Sequence, residues 1–199
     1  MYNEILKRMN NGKVSIIIFD FDYTLTTLDS NSSIGVFSNY LPRAYCKKKK
    51  VLDILTNIAT TSKFYELIWR SKLKLLSSYY IKDLIKKINI TNEFKPNKST
   101  MEILNRAIKS NINVIIYSSG IEEIIVEFLK VNGINNKKVK IIANKLSHVN
   151  LSTVITPKKK KLELELDENI ILIGDKIDDL KIIDNATKML LKNTELIEV

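Results

Sequence analysis

Val14-Ser15-Ile16-Ile17-Ile18-Phe19-Asp20-Phe21-Asp22-Tyr23-Thr24 is a nearly unbroken apolar run that ends in two carboxylates. Continuous rather than alternating apolarity, rich in β-branched residues, is what a strand covered on both faces shows. Similar runs recur at Ile112–Tyr117, Val139–Ala143 and Ile170–Ile173, with a weaker one at Met189-Leu190-Leu191. Helical periodicity lies between them. Residues 99–110 carry Met101, Leu104 and Ile108 on one face, with Ser99 or Thr100 able to cap the start. Residues 121–131 carry Ile121, Ile124, Ile125, Phe128 and Leu129, with Gly133 as the stop. Residues 176–185 place Ile177, Leu180 and Ile183 three apart. Strands alternating with helices predict an α/β fold, a parallel sheet with helices on both faces.

Residues 30–98 break this rhythm. They offer no convincing strand but three helical stretches, near 43–58, 62–78 and 80–89, with Pro42 at the first start and Pro96 closing the region. The expectation is a core of residues 1–29 and 99–199 with a helical lobe, 30–98, inserted after the first strand.

Composition narrows the setting. The chain has 199 residues and a formal net charge of +10, from 32 Lys+Arg against 22 Asp+Glu. Its 45% hydrophobic content rules out global disorder. One cysteine, Cys46, excludes an internal disulfide and suits a reducing compartment. No run approaches the ~18 apolar residues that cross a bilayer, and residues 1–13 lack the apolar centre of a signal peptide. A cytoplasmic protein without membrane association is expected. The lysine excess is spread along the chain and arginine occurs only at 8, 43, 70 and 106, so a nucleic-acid partner is not expected. Lys47–Lys50 reads as a solvated helix face, and Phe64, Tyr65 and Trp69 as core packing.

Three segments carry chemistry. Asp20 and Asp22 emerge at the carboxyl end of a buried strand, the edge where open α/β sheets bind ligands. Tyr117-Ser118-Ser119-Gly120 ends a second strand before a helix, where a hydroxyl and free N–H groups suit a phosphate. Gly174-Asp175-Lys176-Ile177-Asp178-Asp179 follows a third strand. Carboxylates ~4 Å apart repel by ~1 kcal/mol in water and ~4 kcal/mol at an effective dielectric of 20. Gathering Asp20, Asp22 and Asp175 at one rim therefore calls for a hard divalent cation, and Mg²⁺ suits a site that also takes phosphate.

Asp20-Phe-Asp22-Tyr-Thr24, then Ser118, then a lysine cluster, then Gly174-Asp175-Lys-Ile-Asp178-Asp179, resembles the haloacid dehalogenase-like phosphohydrolase superfamily. The inserted lobe and Ser118-Ser119-Gly120-Ile121 are similar to its phosphoserine phosphatase and pyrimidine 5′-nucleotidase branch. The resemblance implies a Rossmann-like three-layer core with the Asp20 strand between the Ser118 and Asp175 strands, and a helical cap. It further implies a Mg²⁺-dependent phosphatase of small phosphomonoesters such as a nucleoside monophosphate or phosphoserine. Asp20 would be the nucleophile and Asp22 the acid–base. Asp20, the Asp22 carbonyl and Asp175 would hold the metal, and Asp179 would hold its outer sphere or its waters. Ser118, Ser119 and Gly120 would bind the phosphoryl oxygens. The lysine is assigned to Lys158, because Pro157 pre-shapes a helix start there, with Lys159–Lys161 and Lys145 as alternatives. The competing reading is a basic nucleic-acid-associated protein or a phosphatase of polynucleotide ends.

Overall fold

The computed structural model describes residues 2–59, 61–78, 81–147, 154–156, 162, 169–183, 186–192 and 195–199. Lys158 and its neighbours 157–161, and also His148, lie outside the described residues. The strands are β1 (Ile16–Phe19), β2 (Asn113–Ile121), β3 (Val139–Asn144), β4 (Ile170–Gly174), β5 (Thr187–Lys192) and β6 (Glu195–Glu198). They form one sheet in the order β3-β2-β1-β4-β5-β6. All neighbours pair in parallel except β5 and β6. β1 is thus central, between β2, which carries Ser118, and β4, which ends just before Asp175, as expected. The register is direct: Phe19 lies opposite Ile116 of β2 and Ile173 of β4.

The helices are α1 (Tyr2–Asn10), α2 (Arg43–Ile58), α3 (Ser62–Ser77), α4 (Ile81–Lys87), α5 (Ile90–Glu93), α6 (Lys98–Lys109) and α7 (Glu122–Val131). On one side of the sheet Ile17, Phe19, Val114, Ile116, Ile171 and Ile173 meet the apolar sides of α1, α6 and α7 in one cluster. α1 contributes Ile5, Leu6 and Met9, one stripe of an otherwise charged helix that the sequence reading did not anticipate. On the other side Ile18, Ile115, Tyr117, Ile170 and Leu172 pack against Leu180, Ile182 and Ile183.

Local starts and stops follow capping chemistry. α6 begins one residue before the expected start, and its cap is Asn97, whose side chain accepts from the Ser99 and Thr100 N–H groups. Gly133, at φ 73°, closes α7 as expected. Three expectations need correction. Residues 176–185 do not form an α-helix: Asp179–Lys181 is a single 3₁₀ turn, and residues 184–185 lie outside the described residues. Three-residue spacing suits a 3₁₀ turn as well as an α-helix face, and Ile177 is 63% exposed instead of facing the core. Next, β2 continues through Ser118-Ser119-Gly120 to Ile121, with a register irregularity after Tyr117, so α7 starts only at Glu122. Finally, Lys49 is 5% exposed and pairs with Asp53 at 2.9 Å, so the lysine run is not wholly solvated.

The connectors into and out of the inserted segment run together. Thr27 N–H donates to Lys95 O (2.9 Å), Asn97 N–H to Leu25 O (2.9 Å), and Thr26 and Pro96 form an antiparallel bridge. Within the insertion α2 and α3 pack around Ala59, Tyr65 and Ile68. Leu73, Leu76, Leu84, Ile88, Ile90 and Phe94 are continuous with the main core.

Phe21, between the two carboxylates, is fully buried, with its ring 5.2 Å edge-on from Phe128 of α7 and 6.2 Å from Phe94. Aromatic pairs of this kind add to the hydrophobic effect of burial. Truncation by Phe128→Ala should lower unfolding free energy by about 3–5 kcal/mol, measured by urea denaturation. A loss under 1 kcal/mol would contradict this account of how the Asp20–Asp22 loop is anchored.

Candidate active site

The parallel register delivers the acidic residues to one edge. β1 ends at Phe19 and β4 at Gly174, so the side chains that follow, Asp20 and Asp175, leave adjacent strands at nearly the same level. The Asp20 N–H donates to Ile173 O at 2.9 Å, which ties the start of the loop to β4. Asp179 returns to the same place because the 3₁₀ turn folds back on the strand end. Gly174 makes room for that return: a Cβ there would stand 2.8 Å from Asp179 Cβ.

Carboxylate oxygens of Asp20, Asp175 and Asp179 lie within 4.8 Å of one another. Asp20 and Asp179 are buried, at 7% and 6% exposure. The Asp175 Oδ1 is buried and has no hydrogen-bond partner among the described residues. Burial pushes the Asp175 carboxyl up to about 6, and the adjacent Asp179 adds to the rise while Lys176 opposes it. An all-oxygen donor set with an unsatisfied buried oxygen fits a hard divalent cation.

Asp22 is separate from this cluster. Its Oδ1 accepts the Ser33 N–H at 2.7 Å and its Oδ2 the Ser33 hydroxyl at 2.8 Å. The turn that follows is conformationally constrained: Tyr23 has φ 65°, which disfavours a side chain, and its N–H donates to Thr26 Oγ1 at 2.9 Å.

Ser118, at 1% exposure, accepts the Gly120 N–H through Oγ at 3.0 Å, so this loop closes on itself. Ser119 faces a cavity of about 370 Å³ together with Asp20, Asp22 and Asp179. Its carbonyl is fixed by the buried Asn144, whose Nδ2 donates to Ser119 O at 2.7 Å and to Ile155 O at 2.9 Å. The same cavity is lined by Ile34, Tyr65 and Trp69. Tyr65 and Trp69 are stacked at 6.0 Å and 12°. They do pack, as the sequence suggested, but they are also the wall facing the acidic residues; Phe64 is instead 42% exposed. The sequence reading missed Ser33, Lys176 and this aromatic wall as parts of the site.

A family model described as haloacid dehalogenase-like hydrolase matches residues 17–188. The chain belongs to that family. As a haloacid dehalogenase-like hydrolase it also has relatives in shape. A structure of cytosolic 5′-nucleotidase IIIB bound to cytidine superposes with a TM-score of 0.68 at 19% identity, over 93% of this chain and 76% of that one. A phosphoserine phosphatase in apo form gives 0.50 at 18% identity, over 88% and 84%. At these identities the likeness establishes the shared fold. No curated protein matches by sequence. Among the described residues, no helix is long and apolar enough to cross a membrane.

The raised Asp175 value has a sign that can be tested in metal-free protein. Its folded value, about 6, lies above the ordinary 3.8. The contribution of this group to stability is therefore fully present below about 4 and lost as pH rises through about 6. In chelator at pH 8, Asp175→Asn should raise the melting temperature by about 3 °C or more, because it removes a confined charge and can donate to Asp179. A lower melting temperature for this variant would overturn the electrostatic account.

Proposed function

We propose that this hydrolase cleaves small phosphomonoesters through a covalent phosphoaspartate, with Mg²⁺ held by Asp20, Asp175, Asp179 and the Asp22 carbonyl. The observation that carries the reading is the meeting of three carboxylates around an unpartnered buried Asp175 oxygen at the strand-end edge. When bound, the cation offsets the charge of the incoming phosphoryl group.

In this reading Asp20, directly after the central strand, attacks phosphorus through a carboxylate oxygen. A bond forms from Asp20 oxygen to phosphorus as the ester P–O bond breaks. Asp22 gives its proton to the departing oxygen. In the second half Asp22 takes a proton from water, whose oxygen bonds to phosphorus while the bond to Asp20 breaks, releasing phosphate and restoring the Asp20 carboxylate and the protonated Asp22. Ser118 and Ser119 bind the phosphoryl oxygens, and Lys158, outside the described residues, supplies a further positive charge. The inserted segment 30–98 acts as a cap that excludes water from the reacting group.

The cavity volume suits a small molecule. Its Tyr65–Trp69–Ile34 wall favours an ester with an apolar or aromatic face, such as a nucleoside monophosphate, over a doubly charged amino-acid ester such as phosphoserine. The lining is acidic and aromatic rather than a basic track for a polynucleotide backbone.

Phosphate release should be measured over nucleoside monophosphates, phosphoserine, other metabolite monoesters and a 5′-phosphorylated oligonucleotide. Activity is expected on a small ester, lost in chelator and restored by Mg²⁺. Asp20→Asn should fall to background, and Asp22→Asn by about 10²–10⁴-fold. Full turnover by Asp20→Asn, or activity indifferent to chelator, would end the proposal.

A further inference from the structure

Ser33 belongs to none of the recognisable motifs, yet it is completely buried between two of them. It occupies both oxygens of Asp22 at once, through its N–H at 2.7 Å and its hydroxyl at 2.8 Å. The same Oγ accepts the Ile121 N–H at 3.3 Å, 88 residues away in sequence, where β2 gives way to α7. Gly120 leaves the space for this contact: a Cβ there would lie 2.1 Å from Ser33 Oγ and 3.1 Å from Ser118 Oγ. One hydroxyl is therefore wedged between the Asp22 carboxylate and the Ser118–Ile121 loop.

We infer that Ser33 is a positioning residue for proton transfer, locking the Asp22 carboxylate to the loop that receives the phosphoryl group. This rests on the phosphatase reading above. A bidentate grip removes rotation about the Asp22 side chain, and proton transfer needs the donor within hydrogen-bond reach of the departing oxygen. Ser33 itself neither gains nor loses a proton over the cycle. Because its Oγ also binds Ile121, movement of the phosphoryl loop and movement of Asp22 are mechanically one event. Alanine at position 33 keeps the backbone N–H contact but releases Oδ2 of Asp22 and Ile121 together.

The test separates positioning from simple support of the fold by varying the leaving group. p-Nitrophenolate departs without a proton, whereas an alkoxide needs one. In Mg²⁺-loaded enzyme, Ser33→Ala should lower kcat/KM for an alkyl phosphate by about tenfold or more, and for p-nitrophenyl phosphate by less than about threefold. On the alkyl ester, Asp22→Asn/Ser33→Ala should be no slower than Asp22→Asn alone, since there is no longer an acid to position. Equal losses on both esters, no loss on either, or a further tenfold loss in the Asp22→Asn background would overturn the inference. Should Ser33→Ala fail to fold, Ser33→Cys, with a weak donor in a similar volume, is read by the same ratio with a smaller expected change. Wild-type protein that hydrolyses neither ester would defeat the phosphatase reading itself, and this inference with it. An active wild type with an unselective Ser33→Ala defeats only the role of Ser33.

Discussion

Three carboxylates confined within a few ångströms of each other resist being brought together, and the sheet forces them to meet. Hydrogen-bonded register fixes β1 beside β4, with Phe19 opposite Ile173. Neither Asp20 nor Asp175 can retreat without breaking ladder bonds and lifting buried isoleucines off the core. Burial, with the neighbouring Asp179 adding to it, raises the Asp175 carboxyl, and its buried Oδ1 is left without a hydrogen-bond partner among the described residues. A rigid scaffold that holds like charges in place is what electrostatic preorganisation requires, because little has to move when a counter-charge arrives.

Around that fixed edge the packing of Phe21 against Phe94 and Phe128 is supplemented by glycines and buried polar contacts. Gly174 lets Asp179 fold back onto the strand end, and Gly120 lets Ser33 reach the β2 loop. Asn144 fastens Ser119 from the far side. Such contacts are directional, and unlike apolar packing they specify where an atom sits to within a hydrogen-bond length. The aromatic wall of Tyr65 and Trp69 comes from α3, beyond Thr61, whose hydroxyl caps that helix by accepting the Phe64 N–H.

What was legible in the sequence follows from how each residue is tied to its surroundings. Asp20, Ser118 and Asp175 stand at or next to the ends of apolar runs, and a buried strand with a polar terminus announces its own edge. The order of the three central strands was implied by the family resemblance that those motifs carry. The 176–185 segment was misread because apolar residues three apart satisfy a 3₁₀ turn and an α-helix alike over so short a stretch. The helix start near Ser118 was misplaced because a strand can run on irregularly past its last large apolar residue. Ser33 carried no local signal: its importance lies in contacts to positions 22 and 121, which periodicity cannot register. The aromatic residues of α3 were seen as buried, but which helix face would look toward the acidic edge depends on how the insertion packs. α1 was hidden by its charges, since Ile5, Leu6 and Met9 are a narrow stripe among polar neighbours.

The side-by-side connectors, Leu25–Thr27 against Lys95–Asn97, have a consequence for how such a chain can change over generations. The ends of everything between them already sit one strand-spacing apart. From the viewpoint of the sheet, the insertion is a loop whose closure is prepaid by local pairing, and doubling a loop's length adds only ~0.6 kcal/mol of entropy. Segments of very different size could be exchanged at this doorway while the acid-bearing strands stayed as they are. Under the proposed function, selectivity for the leaving group and the chemistry at phosphorus would be housed on separately replaceable pieces of one polypeptide.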